Sequence, residues 1–255
     1  VLLADQAGFS AQLSDQLTRK LQARGDLVIQ AATGDAGQIA SLLRATTANY
    51  GELDGIVHLA GLAQEAADGS AESALERQVA RCASAANIFQ ACAATQTRTT
   101  CWLLTANAAS HLLPGRSGAG ASASIAADSA LWGFGRTMLN EPNNCVVRLV
   151  DLETPMAVET AATALDREFE QTDDEQEVAL SADGARFALR LRVEESPDAQ
   201  PLLPIEAPTL SLGFQFPGQL RNLRWEAQAR RDLAAGQIEV EVQATGLKFR
   251  DVMYA

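Results

Sequence analysis

The sequence predicts an α/β fold: a Rossmann-like parallel sheet with helices on both faces. Short apolar segments that suit buried strands alternate with longer segments whose apolar residues recur at helical spacing. This alternation is typical of parallel sheets, and right-handed crossovers then give a Rossmann-like order. A change to strict alternation after Gln176 predicts a C-terminal antiparallel hairpin at one edge.

The predicted elements follow one another with short connections. The first strand leads into a helix that Ser10 can cap and Gly25 can end. Asp35 precedes the second helix, and apolar residues at helical spacing from Leu75 to Phe89 mark the third. The strands expected in the parallel sheet are 1–5, 26–32, 53–62, 100–105 and 145–152.

The segment 123–152 carries the clearest pattern and organises the rest of the chain. It predicts an amphipathic helix with Trp132 on its apolar face and with Gly133 and Gly135 placed to let the helix approach the sheet closely. Pro142 ends the helix, because proline lacks an N–H and restricts the residue before it. The apolar run that follows suits a strand covered on both faces.

The C-terminal part changes character twice. Ala182-Asp183-Gly184 is a tight-turn signal, so we expect a hairpin whose arginines face water. A proline-rich, acidic and aperiodic segment then predicts a linker over 194–217. A second alternating pattern occupies 218–255, and roughly forty residues cannot bury a core of their own. This tail should therefore begin a second domain or dock on the first.

The composition excludes several functional classes. The 255 residues carry a formal net charge of −12 and a pI near 4.6, whereas nucleic acids and anionic membranes select basic surfaces. We see no apolar run long enough to cross a bilayer and no charged-then-apolar leader. We therefore expect a cytoplasmic protein without nucleic-acid or membrane partners.

The cysteines do not follow a metal-binding or disulfide pattern. No two of Cys82, Cys92, Cys101 and Cys145 form a C-x-x-C pair, and each lies in an apolar segment. We expect buried, reduced thiols, which suits the cytoplasm. The two histidines lie apart, in a strand and in a loop, so we predict no metal site.

The residues that a dinucleotide-dependent reductase needs are not found in the predicted places. The first strand-to-helix turn keeps only Gly8 of the glycines that admit a pyrophosphate, and Phe9 fills space that a phosphate would need. Neither Tyr50 nor Tyr254 is followed by the lysine that would lower the pKa of a tyrosine proton donor. We predict that the chain has no catalytic residue and binds no cofactor by itself.

Three other groups have both a chemical and a structural interpretation. His58 beside Asp54 could form an acid–base pair or be a satisfied core histidine. Ser117 is not at the centre of a nucleophile elbow, because Ala119 replaces the last glycine. The third group could bind a metal or form a solvated loop face, and it comprises Glu168, Glu170, Asp173, Asp174, Glu175 and Glu177.

Six segments occur in an order that points to one family. They are DLVI, LDGIVHLAGL, TCWLLT, SALWGFGRTMLNEP, VVRLVDL and EVALSADGARFALRLRV. Together they resemble the structural, non-catalytic subdomain of a modular reducing polyketide synthase ketoreductase, with Ala60 as a departure where many relatives carry tryptophan. The tail, with LRNLRWE and GQIEVEVQATGLKFRDVMYA, is similar to the start of a medium-chain enoyl reductase domain.

The resemblance implies a domain order and a role. It implies a ketoreductase structural subdomain at 1–193, a linker at 194–217 and the start of an enoyl reductase at 218–255. The chain would be a scaffold of a fatty-acid-synthase-like multienzyme that uses NADPH to reduce carrier-bound β-keto and enoyl thioesters. Lys248 stands where the family usually has Asn near the nicotinamide, and would contact cofactor only with the rest of an enoyl reductase.

The resemblance also implies the partners. These are the catalytic ketoreductase half and the enoyl reductase domain of the same polypeptide, and the acyl carrier protein of the parent. Two other interpretations stay open at this point. One is a self-contained short-chain dehydrogenase with an atypical cofactor site, and the other is a pure protein-interaction domain.

Overall fold

Strands and helices alternate through most of the chain in the computed structural model, which describes residues 1–62, 71–109, 113, 126–190, 209–213, 224–228 and 234–238. The chain divides into two compact units, Val1–Leu191 and Arg192–Ala255. The elements of the first unit are β1 (Leu2–Ala4), α1 (Gly8–Arg24), β2 (Gln30–Ala32), α2 (Ala36–Tyr50), β3 (Gly55–His58), a 3-10 turn (Ala60–Leu62), α3 (Ala71–Thr95), β4 (Thr99–Ala106), α4 (Ala126–Asn140), β5 (Cys145–Leu152), α5 (Val158–Phe169), β6 (Glu177–Leu180) and β7 (Arg186–Ala188).

One seven-stranded sheet holds the first unit together. Its strand order is β2-β1-β3-β4-β5-β6-β7. Neighbouring strands are parallel from β2 to β6, and β7 pairs antiparallel with β6 at the edge. The Rossmann-like fold class and the closing hairpin are confirmed.

The first three strands are shorter than predicted. β1 covers Leu2–Ala4. β2 begins at Gln30 rather than at residue 26, because its partner in the sheet is the three-residue strand β1. β3 begins at Gly55 and ends at His58, and the apolar residues after it form a 3-10 turn instead of more strand.

The helix caps match the sequence prediction at one end of α1 and at the start of α2. Gly25 ends α1 with a positive φ of 101°, and Asp35 forms a capping box with Gln38. Ser10 does not cap α1, because the N-cap residue is Ala7. Ser10 lies one turn further in, where its hydroxyl accepts a hydrogen bond from the Asp5 N–H at 3.2 Å.

Helices cover both faces of the sheet and form two cores. One face packs against α1 and α5, where Trp102 meets Phe169 edge to face with 4.9 Å between ring centroids. The other packs against α2, α3 and α4, and includes the buried ring of Trp132. The predicted apolar face of α3 is wrong in its first half, since Leu75 and Val79 are 64% and 60% exposed.

The two glycines of α4 have different surroundings. A Cβ added to Gly135 would overlap the Leu149 side chain and lie 3.3 Å from Leu103, so this glycine does let the helix approach the sheet. Nothing lies within 4 Å of a Cβ added to Gly133, which corrects the prediction for that residue.

This difference gives a matched pair of substitutions. Gly133→Ala should raise the free energy of unfolding by about 0.5–1 kcal/mol, because alanine is the better helix former. Gly135→Ala should lower it by about 1–3 kcal/mol, because the new methyl group displaces a buried leucine. Urea unfolding measures both values, and equal effects of the two substitutions would contradict the packing described.

The acidic group between Glu168 and Glu177 forms ion pairs, while Glu170 and Asp174 are exposed, as the solvated-face interpretation expects. The buried Glu168 pairs with Arg186, whose guanidinium also contacts Asp173 at 2.9 Å. Arg190 pairs with Glu175. The prediction that the hairpin arginines face water is therefore wrong for Arg186, while the side chain of Arg190 is 59% exposed. The remaining pairs of this segment are Arg24–Glu170, Arg136–Glu177 and Arg148–Asp173.

The second unit contains the antiparallel pair β8 (Thr209–Gly213) and β9 (Arg224–Gln228). The strand β8 falls inside the segment 194–217 that the sequence predicts as a linker. The alternating pattern at 218–255 includes β9. Most of its other residues lie outside the described part of the chain, and Lys248 is one of them.

Candidate functional site

The strand order places a topological switch point between β1 and β3. The connection through α1 leads from β1 to the edge strand β2, and the next crossover returns to β3 on the other side of β1. In open α/β sheets, ligands bind in the crevice outside the carboxyl ends of the strands at such a point. The candidate site is therefore the edge formed by the carboxyl ends of β1, β3, β4 and β5, called here the carboxyl edge.

The turn between β1 and α1 keeps its glycine but lacks a phosphate-binding sequence. Gly8 has a φ of +78° and no atom within 4 Å of a Cβ built on it. Phe9 is half-buried and packs against the core beside α1. The expectation that its ring occupies the space of a phosphate is therefore corrected, since the ring contributes to the core.

A cleft of about 330 Å³ lies at the carboxyl ends of β1 and β2. Its charged side chains are Asp5 and Asp15, and no Lys or Arg is among the residues lining it in the described part of the chain. Gln30 is held across it, donating to Ser14 Oγ and Asp15 Oδ1 at 3.1 Å each. A pyrophosphate is doubly negative, so the charge at this cleft opposes its binding.

The carboxyl end of β3 presents a buried histidine. His58 Nε2 lies 3.0 Å from Ser84 Oγ on α3, and Nδ1 has no hydrogen-bond partner among the described residues. Burial, helped by the nearby Arg81 charge, lowers the pKa of His58 to about 4, so the ring is neutral at pH 7. Asp54 precedes β3 while His58 ends it, and a rise of about 3.3 Å per residue separates them by about 13 Å. They do not form an acid–base pair.

The depressed pKa predicts a specific pH dependence. Between about pH 6.5 and pH 4 the unfolded chain binds a proton at His58 that the folded chain does not bind, so stability falls as pH falls through this window. The slope from this group is at most about 1.4 kcal/mol per pH unit. His58→Asn should remove this component, measured by urea unfolding across the window. An unchanged slope in the variant would contradict a buried neutral His58.

An ion pair joins α3 to α4 at the same edge. Asp128 Oδ2 accepts a hydrogen bond from the Ala106 N–H at 2.7 Å, and Oδ1 pairs with Arg81. Burial raises the pKa of Asp128 to about 6, although the Arg81 guanidinium and the Ala106 N–H favour the carboxylate. At pH 7 the pair is charged, and both side chains are largely buried. Its two carboxylate oxygens bind groups of the chain itself.

A second buried carboxylate holds the loop after β4. Asp151 Oδ1 accepts from Thr105 Oγ1 at 2.6 Å and from the Ala108 N–H at 2.9 Å, and Oδ2 accepts from the Ala109 N–H at 2.9 Å. Thr105 and Asp151 are paired in register across β4 and β5. Asp151 therefore ties the chain after β4 to β5.

The loops after β4 and β5 are also joined directly. The Asn107 N–H donates to the Leu152 carbonyl at 3.0 Å, and Asn107 Oδ1 accepts from the Thr154 N–H at 2.8 Å. Asn107 has a φ of 56°, a left-handed conformation that asparagine tolerates. These bonds, like those of Asp128 and Asp151, join groups of the chain to one another at the carboxyl edge of β4 and β5.

Sequence reasoning missed Asp128 and Asp151. Asp128 lies three and four residues before Leu131 and Trp132, so its position on the apolar face of α4 could have drawn attention to it. Asp151 is the last residue but one of the mostly apolar strand β5. Tyr50 is 61% exposed at the end of α2. Three other positions considered from the sequence lie outside the described residues: Ser117, Lys248 and Tyr254.

Three cysteine sulfurs meet at the opposite, amino edge. The Sγ atoms of Cys92, Cys101 and Cys145 all lie within 4.8 Å of one another. They belong to α3, β4 and β5, and no disulfide joins them. The sequence predicts reduced thiols, but it does not predict that three of the cysteines lie together in the fold.

Comparison with solved structures shows that the fold is similar to that of polyketide synthase ketoreductases. A C2-type ketoreductase from a modular polyketide synthase aligns with a TM-score of 0.55 and 21% identity, over 76% of this chain and 39% of that one. A-type ketoreductases from a modular polyketide synthase align with a TM-score of 0.54 and 20% identity, over 81% of this chain and 40% of that one. The chain thus spans about two fifths of the length of these two structures.

Further similarity is weaker. An alcohol dehydrogenase from the archaeon Thermococcus sibiricus, complexed with 5-hydroxy-NADP, aligns with a TM-score of 0.47 and 16% identity, over 76% of this chain and 98% of that one. No protein-family profile matches the sequence, and no curated protein matches it. Among the described helices, none combines the length and apolar character that a bilayer-crossing segment requires.

Proposed function

We propose that this chain is a non-catalytic scaffold segment of a reducing polyketide synthase. Residues 1–193 act as the structural subdomain of a ketoreductase, 194–217 connect it onward, and 218–255 begin an enoyl reductase domain. One observation carries the proposal: the carboxyl edge, where a reductase would hold cofactor and substrate, binds its own backbone and its own ion pair. Both oxygens of Asp128 and both of Asp151 are used in this way.

The residues available at this edge do not fit a dinucleotide-dependent reductase. The cleft beside β1 is lined by two carboxylates and no basic side chain in the described part of the chain. The fourth residue after Tyr50 is Asp54 rather than the lysine that a tyrosine proton donor needs. In the parent multienzyme, other domains perform the NADPH-dependent reduction of carrier-bound β-keto and enoyl thioesters. Such a multienzyme is expected in the cytoplasm.

The proposed role is to support the catalytic ketoreductase half. Two exposed apolar residues favour protein contact by α3, since Leu75 and Val79 lie four residues apart and so share one helix face. Apolar side chains exposed together are typical of protein-interaction surfaces. The expected partner is the tyrosine-bearing reductase half of the same polypeptide.

Co-expression tests this role. The chain should co-elute in size-exclusion chromatography with the catalytic ketoreductase half from the same gene. The double variant Leu75→Asp, Val79→Asp should weaken association at least tenfold, because two charges would be buried against an apolar surface. Leu27→Asp is the matched control, since Leu27 is equally exposed but lies outside α3. A chain that never associates with that half contradicts the proposal.

A further inference from the structure

The proposed scaffold role does not involve the three-cysteine cluster at the amino edge. Cys92 comes from the last part of α3, Cys101 from β4 and Cys145 from the first position of β5. The three residues are separated by long stretches of sequence, so the fold alone brings them together. All three pairwise Sγ–Sγ distances are at most 4.8 Å.

These distances fit a metal ion held by three sulfurs. A metal–sulfur bond of about 2.3 Å places three sulfurs around one ion about 4 Å apart. The cluster therefore reaches coordination geometry with side-chain shifts below about 1 Å. Cys92 and Cys101 are buried in the core beside α3, while Cys145 is partly exposed and gives an ion a route from solvent.

The backbone around the cluster is fixed by hydrogen bonds. The Cys92 carbonyl accepts from the Thr97 N–H at 3.0 Å and from Asn144 Nδ2 at 3.3 Å, which ties the end of α3 to the start of β5. Cys101 and Cys145 are held on adjacent strands in a continuous parallel register. The ligands are therefore largely in place before an ion arrives, which lowers the cost of ordering them.

The ligand chemistry also suits a soft cation. Thiolate ligands select Cu(I), zinc and iron–sulfur clusters over magnesium, calcium or manganese. Among the described residues the group of candidate ligands contains just these three cysteines, whereas structural zinc takes four ligands.

We propose that Cys92, Cys101 and Cys145 form a three-thiolate binding site for a soft monovalent cation of the Cu(I) class. Binding would join α3, β4 and β5 at the amino edge and would release the thiol protons. The proposal is independent of the scaffold role, because it concerns the opposite edge of the sheet.

The test is an anaerobic titration of the full chain with Cu(I), with a non-thiol reductant present and a chromophoric Cu(I) chelator as competitor. The wild-type chain should remove one equivalent of Cu(I) from the chelator and melt at a higher temperature when loaded. Cys145→Ser should lower the affinity at least a hundredfold. Cys101→Ser should do the same, provided that circular dichroism shows a folded protein. The partly exposed Cys145 is the safer position, because its substitution disturbs the core least.

Cys82→Ser is the matched control, since Cys82 is a free cysteine on α3 outside the cluster. It should bind Cu(I) as the wild type does. A wild-type chain that takes no Cu(I) from the chelator would overturn the proposal, and so would a Cys145→Ser variant that binds as tightly as the wild type. A parallel titration with Zn²⁺ checks the cation, since tighter binding of Zn²⁺ than of Cu(I) would overturn the assignment to a monovalent ion.

Discussion

Trp132→Ala is expected to lower the free energy of unfolding by about 3–5 kcal/mol. The indole is only 6% exposed and belongs to the core that α2, α3 and α4 form on one face of the sheet. Its removal leaves a large cavity that the sheet, held by seven strands, cannot close by local collapse. The Arg136 guanidinium, 5.9 Å from the ring centroid, would also lose its cation–π contact.

Thermal unfolding followed by circular dichroism measures this effect. A loss of about 3–5 kcal/mol corresponds to a fall in Tm of about 6–20 °C for a protein of this size. Trp132→Phe is the control, because an aromatic ring of similar shape should recover most of the lost stability. An unchanged Tm in Trp132→Ala would mean that the ring is exposed in solution and that α4 does not pack as described.

Asp151→Ala should have an effect of similar size for a different reason. The buried carboxylate accepts hydrogen bonds from Thr105 Oγ1 and from the N–H groups of Ala108 and Ala109. Alanine would leave two buried backbone donors without an acceptor, each at a cost of about 1–3 kcal/mol. We expect a total loss of about 3–5 kcal/mol, measured by urea unfolding.

Thr105→Val measures the contribution of one hydrogen-bond donor to the Asp151 carboxylate. It removes only one of the three donors and should cost about 1 kcal/mol. We expect Asp151→Ala to lower the free energy of unfolding clearly more than Thr105→Val does. If Asp151→Ala stayed within about 0.5 kcal/mol of the wild type, Asp151 would not hold the loop after β4.

The sequence alone predicts the fold because the fold depends on local periodicity. The strand β5 is found at its predicted bounds, Cys145–Leu152, and the hairpin turn at Gly184 has the positive φ that its glycine suggests. Errors arise where tertiary partners decide the outcome. β2 is short because β1 is short, and Leu75 is exposed although its spacing suits a core face.

The candidate sites are harder to predict, since their residues meet only in the folded chain. Arg81 and Asp128 are 47 residues apart in sequence, and Thr105 and Asp151 are 46 apart. The cysteine cluster likewise joins a helix to two strands. An aspartate within an apolar pattern is the one local signal, and it marks Asp128 and Asp151 as residues that need partners inside the fold.

We expect that the carboxyl edge of this Rossmann-like sheet has no dinucleotide site. Calorimetric titration of NADPH into the full chain tests this expectation, with ketone-dependent NADPH oxidation measured on the same sample. The account predicts no saturable binding and no oxidation, because the cleft beside β1 carries Asp5 and Asp15 and because Asp128 and Asp151 bind the chain itself. Micromolar binding of NADPH, or turnover with a ketone, would contradict it.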